Sequence, residues 1–197
     1  MGKINYNLKM EEVIENIKKE NKRPKLLLQV CCAPCSSSVL WRLKDYFDID
    51  IYYYNPNIYP ANELNKRVET VRNLVKEMDL SSKVIFPEND PDDFYSYVNT
   101  RSKDHEGGDS CYKCYRLRLE KSARYAKKNS YDYFTTTLSI SPYKNSAWLN
   151  EIGEDLEKKY EIKYLYSDFK KKNGYKDSIE LSKKYNLYRQ DYCGCIF

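Results

Sequence analysis

Seven cysteines, gathered into three short groups, are the residues of this sequence best suited to chemistry. In chain order the groups are Cys31, Cys32 and Cys35; Cys111 and Cys114; and Cys193 and Cys195. Isolated buried thiols would be scattered along the chain, whereas clustering at such short spacings is what metal ligation or dithiol chemistry requires. The spacing therefore predicts a metal or redox site.

The first two groups have the surroundings expected of metal ligands. Cys31 and Cys32 follow an apolar run that reads as a buried strand, and the Cys111-x-x-Cys114 pair lies at a predicted helix N-terminus. A helix N-terminus lowers the pKa of a thiol and favours the thiolate, which is the form that binds metal. These four residues could hold an iron–sulfur cluster, and a four-cysteine zinc site is the alternative.

The remaining cysteines leave more than one role open. Cys193-Gly194-Cys195 can close a small, strained disulfide ring, with Gly194 supplying the backbone freedom for closure. Strained disulfides are easily reduced and tend to be catalytic. Metal ligation and the absence of any role are the alternatives for this pair. Cys35 is either an additional metal ligand or a buried thiol in the first turn of a helix.

Length and charge place limits on the class of protein. The chain has 197 residues, which is typical of one domain with a sizeable core, and a net charge of +5 permits a nucleic-acid partner without requiring one. No apolar run approaches the roughly 20 residues of a membrane span, and the N-terminal stretch lacks the apolar core of a signal peptide. We therefore expect a cytoplasmic protein with no membrane partner, in which the cysteines do not form a disulfide scaffold.

Strand-like and helix-like segments alternate five times, which predicts an α/β fold with a five-stranded, parallel, doubly wound sheet. The predicted strands are 26–30, 49–54, 84–86, 131–136 and 162–166. The predicted helices that follow are 37–47, 61–78, 91–98, 111–128, 145–160 and 178–185. Residues 1–23 read as an N-terminal helical extension, and residues 24–197 as a single domain with a cysteine-bearing tail. Ligands bind at the carboxyl ends of the strands in such sheets.

Candidate residues for acid chemistry and nucleic-acid binding lie near the cysteines. Asp191, beside Cys193, is a candidate acid, and His105 is the single histidine, in a polar loop. The candidates for contact with tRNA are Arg116, Arg118, Lys121 and Tyr143. The cations would contact phosphate and the tyrosine would stack on an unpaired base, although a basic helix face is often merely solvated.

Several motifs together resemble one family. The CCAPCS segment after an apolar strand, the C-Y-x-C-Y-x-x-R-L segment and the C-terminal Y-C-G-C segment occur in the order found in epoxyqueuosine reductases of the QueH type. The loop 55–60 (NPNIYP) and the segment 135–145 (TTTLSISPYKN) also match. The resemblance covers residues 24–197. One position departs from it, since many relatives have histidine where this chain has Gln29.

The resemblance implies a fold, an activity and a set of ligands. The fold would be adenine-nucleotide α-hydrolase-like, a Rossmann-like arrangement whose phosphate loop is replaced by cysteines. The activity would be reduction of epoxyqueuosine to queuosine at the wobble position of tRNA, the last step of queuosine biosynthesis. By the family pattern Cys31, Cys32, Cys111 and Cys114 would bind a [4Fe–4S] cluster. Cys193 and Cys195 would form a redox-active pair.

The chemistry of that reaction sets further expectations. Reduction of an epoxide to an alkene takes two electrons and two protons, while a cluster passes one electron at a time and a dithiol holds two. We expect an external electron donor, either a ferredoxin- or flavodoxin-like protein or an artificial reductant. An additional metal ion, iron or zinc, bound through Cys35 or the tail thiols would act as a Lewis acid on the epoxide oxygen.

Three other functions fit parts of the sequence. A thiol–disulfide oxidoreductase without a cluster would use the same cysteines. A zinc-stabilised RNA-binding protein would hold the metal and leave the tRNA unchanged. An ATP-dependent sulfur transferase acting on tRNA is disfavoured because the chain has no glycine-rich phosphate loop.

Overall fold

The computed structural model describes residues 4–88, 91–98 and 106–195. His105 and most of the polar loop around it lie outside these ranges. In chain order the elements are α1 (Tyr6–Lys19), β1 (Lys25–Gln29), α2 (Ala33–Leu43), β2 (Asp48–Tyr52), α3 (Ala61–Glu77), β3 (Val84–Ile85), α4 (Pro91–Val98), α5 (Asp109–Lys128), β4 (Tyr133–Thr136), a 3₁₀ helix (Thr137–Ile140), α6 (Ser146–Tyr160), β5 (Lys163–Tyr164) and α7 (Gly174–Lys184).

The five strands form one parallel sheet in the order β3-β2-β1-β4-β5. This confirms the predicted α/β sheet. Strand β1 lies at the centre, and its last residue, Gln29, pairs with Tyr52 of β2 and Thr136 of β4. Because the three strands end together, the chain that follows each of them reaches the same edge of the sheet. The cysteines after β1 are therefore placed at the middle of that edge.

Helix α2 begins four residues earlier than the sequence predicts. Cys32 is its N-cap residue and Pro34 lies in its first turn, where proline is well tolerated because the first N–H groups have no helical partner. Ser36 and Ser37, which suggest a loop by composition, donate their hydroxyl hydrogens to carbonyls of the preceding turn. Almost no loop therefore separates the central strand from the helix that carries Cys35.

Other boundaries differ at the ends of elements. Helix α5 begins at Asp109 with Gly108 as its N-cap, so Ser110, which the sequence suggests as the cap, lies inside the helix. Helix α7 begins at Gly174 rather than near residue 178. The segment after β4, predicted as a loop, forms the 3₁₀ helix, whose first amide at Leu138 donates to the Thr136 hydroxyl at 3.2 Å.

The helices cover both faces of the sheet. One core cluster joins α2, α3 and part of α1 to the sheet, and a second joins α5 and α6 to the other face. Met10, Ile14 and Ile17 of α1 are buried in the first cluster, so the N-terminal helix packs on the sheet domain. Within the described ranges, no helix has the length and apolarity needed to cross a membrane.

Candidate active site and metal centre

The first cysteine group forms a compact triad at the carboxyl end of β1. The Sγ atoms of Cys31, Cys32 and Cys35 all lie within 4.8 Å of one another. Cys32 is buried at the N-cap of α2, and Cys35 is half-buried one turn along. The Cys31 amide donates to Thr137 Oγ1 at 3.3 Å, and its Sγ lies 3.4 Å from the same oxygen. The 3₁₀ helix after β4 therefore fixes the first member of the triad.

The thiols of the triad share charge. Hydrogen bonds from Cys32 and Cys35 hold the pKa of Cys31 well below its usual range, although burial opposes this. The hydrogen bond with Cys31, together with burial, raises the pKa of Cys32 to about 12. Hydrogen bonds with Cys31 and Cys32, together with burial, raise the pKa of Cys35. Three converging sulfur atoms, one of them a stabilised thiolate, match the soft ligands preferred by zinc and iron–sulfur centres.

The second cysteine pair lies buried on the first turns of α5. The amide of Gly107 donates to Cys111 Sγ at 3.3 Å. Burial raises the pKa of Cys111 and raises that of Cys114 to about 11. The expectation that the helix N-terminus lowers these pKa values is therefore wrong for the metal-free chain, because loss of solvation outweighs the helix dipole.

The guanidinium of Arg118 connects the three cysteine groups. Although burial alone would lower the pKa of Arg118, the sulfurs of Cys114, Cys31 and Cys193 raise it. Arg118 Nη2 also donates to the side-chain oxygen of Asn55, in the loop after β2. One residue from each cysteine group therefore lies around a single buried cation.

Cys193 and Cys195 lie side by side in the irregular segment after α7. Their Sγ atoms are 3.7 Å apart. The ammonium of Lys144 donates to Cys193 Sγ at 3.5 Å, and the Asn57 amide donates to Cys195 Sγ at 3.4 Å. The hydrogen bond from Cys195, aided by the positive charge of Lys144 and opposed by burial, lowers the pKa of Cys193 to about 5. The arrangement is that of a thiolate next to a protonated thiol.

Helix α3 and the loop before it hold this tail in place. Arg67 Nη1 donates to the Cys193 carbonyl at 3.0 Å, and the Tyr59 amide donates to the Gly194 carbonyl at 2.8 Å. Glu63 pairs with Arg67 at 2.6 Å and accepts the Tyr188 hydroxyl hydrogen at 3.1 Å. The position of Cys193 and Cys195 thus depends on the buried Glu63–Arg67 ion pair of α3.

A cavity of about 480 Å³ opens beside the triad and the tail. Among the residues that line it are Cys31, Cys32, Cys35, Arg118, Tyr143, Lys144, Asp191 and Cys193. Thiols, cations and an exposed aromatic ring therefore face one space at the carboxyl edge of the sheet. A polar substrate with an aromatic portion has matching groups on its walls.

The other predicted site residues occupy different surroundings. Tyr143 is 72% exposed at the cavity, and Asp191 is exposed there. Arg116 lies 3.3 Å from Asp155 on a partly exposed face of α5, and Lys121 is exposed on the same helix. Arg118 is only 2% exposed, so its position differs from that of a cation on an open phosphate-binding face.

Gln29, the position at which the sequence departs from the expected family pattern, is fully buried at the end of β1. Its side-chain oxygen accepts from Thr136 Oγ1 at 2.7 Å, and its amide donates to the Tyr54 carbonyl at 3.1 Å. The oxygen and the amide nitrogen of the Gln29 side chain therefore form hydrogen bonds with neighbouring chain segments, and Gln29 does not line the cavity.

Sequence reasoning missed three residues that contact the tail cysteines or their backbone: Lys144, Asn57 and Arg67. Lys144 and Asn57 lie in the two loops that match the family motifs and that follow β4 and β2. Their place at strand ends was the available signal. Arg67 lies mid-helix, and nothing in the local sequence distinguishes it from a surface cation.

Comparison with known proteins places this geometry in a family. Residues 26–197 match the family model described as epoxyqueuosine reductase QueH. The epoxyqueuosine reductase QueH of Streptococcus pyogenes serotype M1 is 42% identical over 199 residues, covering 99% of this chain and 78% of that protein.

Two solved structures share the fold. A predicted subunit of a tRNA methyltransferase from Methanocaldococcus jannaschii has a TM-score of 0.52 and 17% identity, covering 80% of this chain and 74% of that one. The U34-tRNA thiolase NcsA from Methanococcus maripaludis, solved with its [4Fe-4S] cluster, has a TM-score of 0.51 and 13% identity, covering 93% of this chain and 65% of that one. The expected adenine-nucleotide α-hydrolase-like fold is confirmed, and the chain belongs to the epoxyqueuosine reductase QueH family.

Proposed function

We propose that this chain reduces epoxyqueuosine to queuosine at the wobble position of tRNA, with its three cysteine groups as the redox machinery. The observation that carries the proposal is that cysteines from two distant segments line one cavity together with Arg118, and that Cys114 of a third segment is buried one turn before Arg118 on α5. The family is named for this reductase activity. A cavity with sulfur on one wall and an exposed tyrosine at its rim suits a modified base brought out of its stack.

The cofactor we propose is a [4Fe–4S] cluster bound by Cys31, Cys32, Cys111 and Cys114. Cys32, Cys111 and Cys114 are buried, and Cys31 is half-buried. Their sulfur atoms are the donors that iron–sulfur clusters require, which supports this ligand set. When bound, such a cluster supplies electrons one at a time. Cys35, whose Sγ lies within 4.8 Å of the other two triad sulfurs, is the proposed ligand of an additional metal ion, iron or zinc.

We propose that Cys193 and Cys195 deliver the two-electron step. Conversion of the epoxide to the alkene consumes two electrons and two protons and releases the oxygen as water. Oxidation of the Cys193 thiolate and the Cys195 thiol to a disulfide supplies both electrons and one proton, and the proposed acid Asp191 supplies the other proton. The 3.7 Å separation of the sulfur atoms supports this role. A ferredoxin- or flavodoxin-like donor, or an artificial reductant such as dithionite, must then return two electrons to the disulfide, which takes up one proton to restore the thiolate and the thiol, while Asp191 regains its proton from solvent.

Tyr143, at the cavity, and two cations of α5 would bind the tRNA. Tyr143 would stack on an anticodon-loop base, and Arg116 and Lys121 would contact phosphate, for which their exposure is suitable. Asp191, exposed at the cavity, is the proposed proton donor to the leaving oxygen. Lys144 holds Cys193 as the thiolate by donating to its Sγ.

The test is an assay on tRNA carrying epoxyqueuosine, using protein purified and loaded with iron and sulfide without oxygen. We expect queuosine in the nucleoside digest analysed by mass spectrometry, and about four irons and four sulfides per chain. Iron above four would support the additional metal ion. The matched control is the same tRNA already carrying queuosine, which should return unchanged.

A protein that stays colourless after reconstitution, holds stoichiometric zinc and leaves epoxyqueuosine intact would contradict the proposal. Binding of the tRNA by that protein would favour the zinc-stabilised RNA-binding function instead.

A further inference from the structure

Arg118 is a buried cation that has no carboxylate counter-charge among the described residues. Its side chain is 2% exposed, and a guanidinium removed from water is costly unless an anion or a full set of acceptors replaces the solvent. Nη2 donates to the neutral amide oxygen of Asn55, while Nε has no hydrogen-bond partner among the described residues. Over the same part of the chain, no carboxylate forms an ion pair with Arg118.

A second buried arginine, Arg67, shows how the fold neutralises such a charge elsewhere. Its side chain is 3% exposed, and Nε lies 2.6 Å from a carboxylate oxygen of Glu63 on the next turn of the same helix. The fold therefore supplies a carboxylate to one buried guanidinium and only an amide to the other. This difference indicates that the anionic groups opposite Arg118 are sulfur atoms rather than a carboxylate.

The groups that face Arg118 are sulfur atoms. Cys114 is buried one turn before it on α5, and Cys31 and Cys193 line the same cavity as Arg118. The charges on these three sulfurs raise the pKa of Arg118. Cys31 and Cys114 are proposed ligands of the same cluster. A cluster bound by four thiolates is an anion, and hydrogen bonds and charges near its sulfurs tune its reduction potential.

We infer that Arg118 is the fixed positive charge opposite the anionic redox centre of this chain and that it sets the potential at which that centre accepts an electron. The inference rests on the proposed function. Reduction adds one electron, drawn from the external donor, and therefore one negative charge. A cation held in a site of low dielectric stabilises the reduced form more than the oxidised form, so it favours electron uptake. Arg118 is a positioning and tuning residue rather than a tRNA contact.

The test compares two substitutions that separate charge from hydrogen bonding. Arg118→Gln removes the charge and keeps a donor for Asn55, whereas Arg118→Lys keeps the charge. The midpoint potential of the loaded protein is measured by anaerobic titration with a low-potential reductant, followed by absorbance and electron paramagnetic resonance. We expect a more negative potential for Arg118→Gln and a potential near the wild-type value for Arg118→Lys.

The matched control is Arg124→Gln, the same chemical change at an exposed position on the same helix. Solvent screens that charge, so the midpoint potential should stay at the wild-type value.

A second readout separates tuning from a purely structural role. Thermal denaturation is recorded for the loaded and the metal-free forms of each variant. Arg118→Gln should lower the melting temperature of the loaded form more than that of the metal-free form, because a bound cluster keeps its negative charge whereas free thiolates can take up protons when the cation is lost. Equal losses in both forms would mark Arg118 as structural and overturn the inference.

The outcomes for the two proposals are distinct. Wild-type protein that takes up no iron and sulfide contradicts the cluster of the proposed function. Wild-type protein that loads normally, combined with an unchanged potential in Arg118→Gln, overturns this inference alone. If Arg118→Gln fails to fold, Arg118→Lys decides: a loaded variant with a near-wild-type potential supports the inference, and a variant that fails to fold or has a displaced potential overturns it.

Discussion

The cysteines after β1 and the cysteines after α7 are held in opposite ways. Cys31 and Cys32 continue directly from the central strand of the sheet, and Cys35 lies in the first turn of the helix packed against it. Cys193 and Cys195 lie in irregular chain. The backbone around this second pair is held by Arg67 and by the Tyr59 amide, and its thiols by side chains from two loops.

The difference matches two kinds of work. A metal centre needs ligands whose positions do not change, and elements of the sheet fix atoms better than loops do. A dithiol that cycles between two oxidation states must change its sulfur–sulfur distance, which irregular chain with few anchors permits. Under the proposed function, the triad would hold metal and the tail pair would undergo the redox change.

The largest effect should come from the triad. Cys32→Ser replaces a buried sulfur ligand with a hydroxyl that binds iron poorly, so iron and sulfide content should fall to background. Changes in residues that only support metal ligands cost about 10- to 100-fold in activity, so loss of a ligand should lower the reductase rate by at least about 100-fold. Metal analysis and the tRNA assay measure both. Full iron content in Cys32→Ser would show that Cys32 is not a ligand of the cluster.

The next effect should separate the tail pair from the triad. Cys195→Ser leaves the strand and helix ligands untouched, so iron and sulfide content should equal that of wild type. Turnover should be abolished because a single thiol cannot form the disulfide that releases two electrons. Cys193→Ser should behave in the same way. Full turnover in either variant would show that the tail cysteines have no redox role in the reaction.

Much of the triad could be predicted from the sequence. An apolar run ending in two cysteines identifies a central strand and its carboxyl end, and the parallel sheet follows from the alternation of elements. The early start of α2 could not be predicted, because Ser36 and Ser37 resemble loop residues until their hydroxyls find carbonyls in the preceding turn. That early start is what brings Cys35 to the other two sulfurs.

The buried position of Arg118 could be predicted from the sequence. Arg118 follows Cys111 and Cys114 at helical spacing, so the periodicity of α5 places it on their buried face despite its charge.

The residues that surround the tail could not be predicted in the same way. Lys144 and Arg67 acquire their roles only through contacts with residues about 50 or more positions away in the chain. Such contacts leave no local pattern. The sequence therefore predicts which residues are reactive better than it predicts which residues hold them.

A smaller effect is expected from the anchor of the tail. Arg67→Met removes the donor to the Cys193 carbonyl and leaves Glu63 buried without its cation. The free energy of unfolding should fall by about 3 kcal/mol, and a protease should cut the chain after α7 faster, while iron content stays near wild type. Chemical denaturation, limited proteolysis and metal analysis measure these outcomes.

The control for the anchor is Arg72→Met, an exposed arginine on the same helix that stacks on Phe86. Its cost should stay below about 1 kcal/mol, with no change in proteolysis. Loss of iron in Arg67→Met, with the tail still resistant to protease, would mean that the anchor serves the triad rather than the tail.

The smallest effect concerns the charge state of the tail thiol. The hydrogen bond from Cys195 and the ammonium of Lys144 lower the pKa of Cys193 to about 5 against the effect of burial, so the thiolate is present above that pH. Lys144→Met removes a cation and should raise the pKa of Cys193 by roughly one unit, which slows its alkylation by iodoacetamide near about pH 6. Peptide mapping of the reduced, metal-free protein across a pH series measures the shift.

Lys113→Met, an exposed lysine next to Cys114 in sequence, is the control and should leave the alkylation profile of Cys193 unchanged. Cys32, whose pKa is raised to about 12 by its hydrogen bond with Cys31 and by burial, should remain unmodified in the same digest. Alkylation of Cys32 and Cys193 with the same pH profile would contradict the expected difference in reactivity between the triad and the tail pair. If the alkylation profile of Cys193 is the same in Lys144→Met as in wild type, Cys195 is the main group that keeps Cys193 ionised.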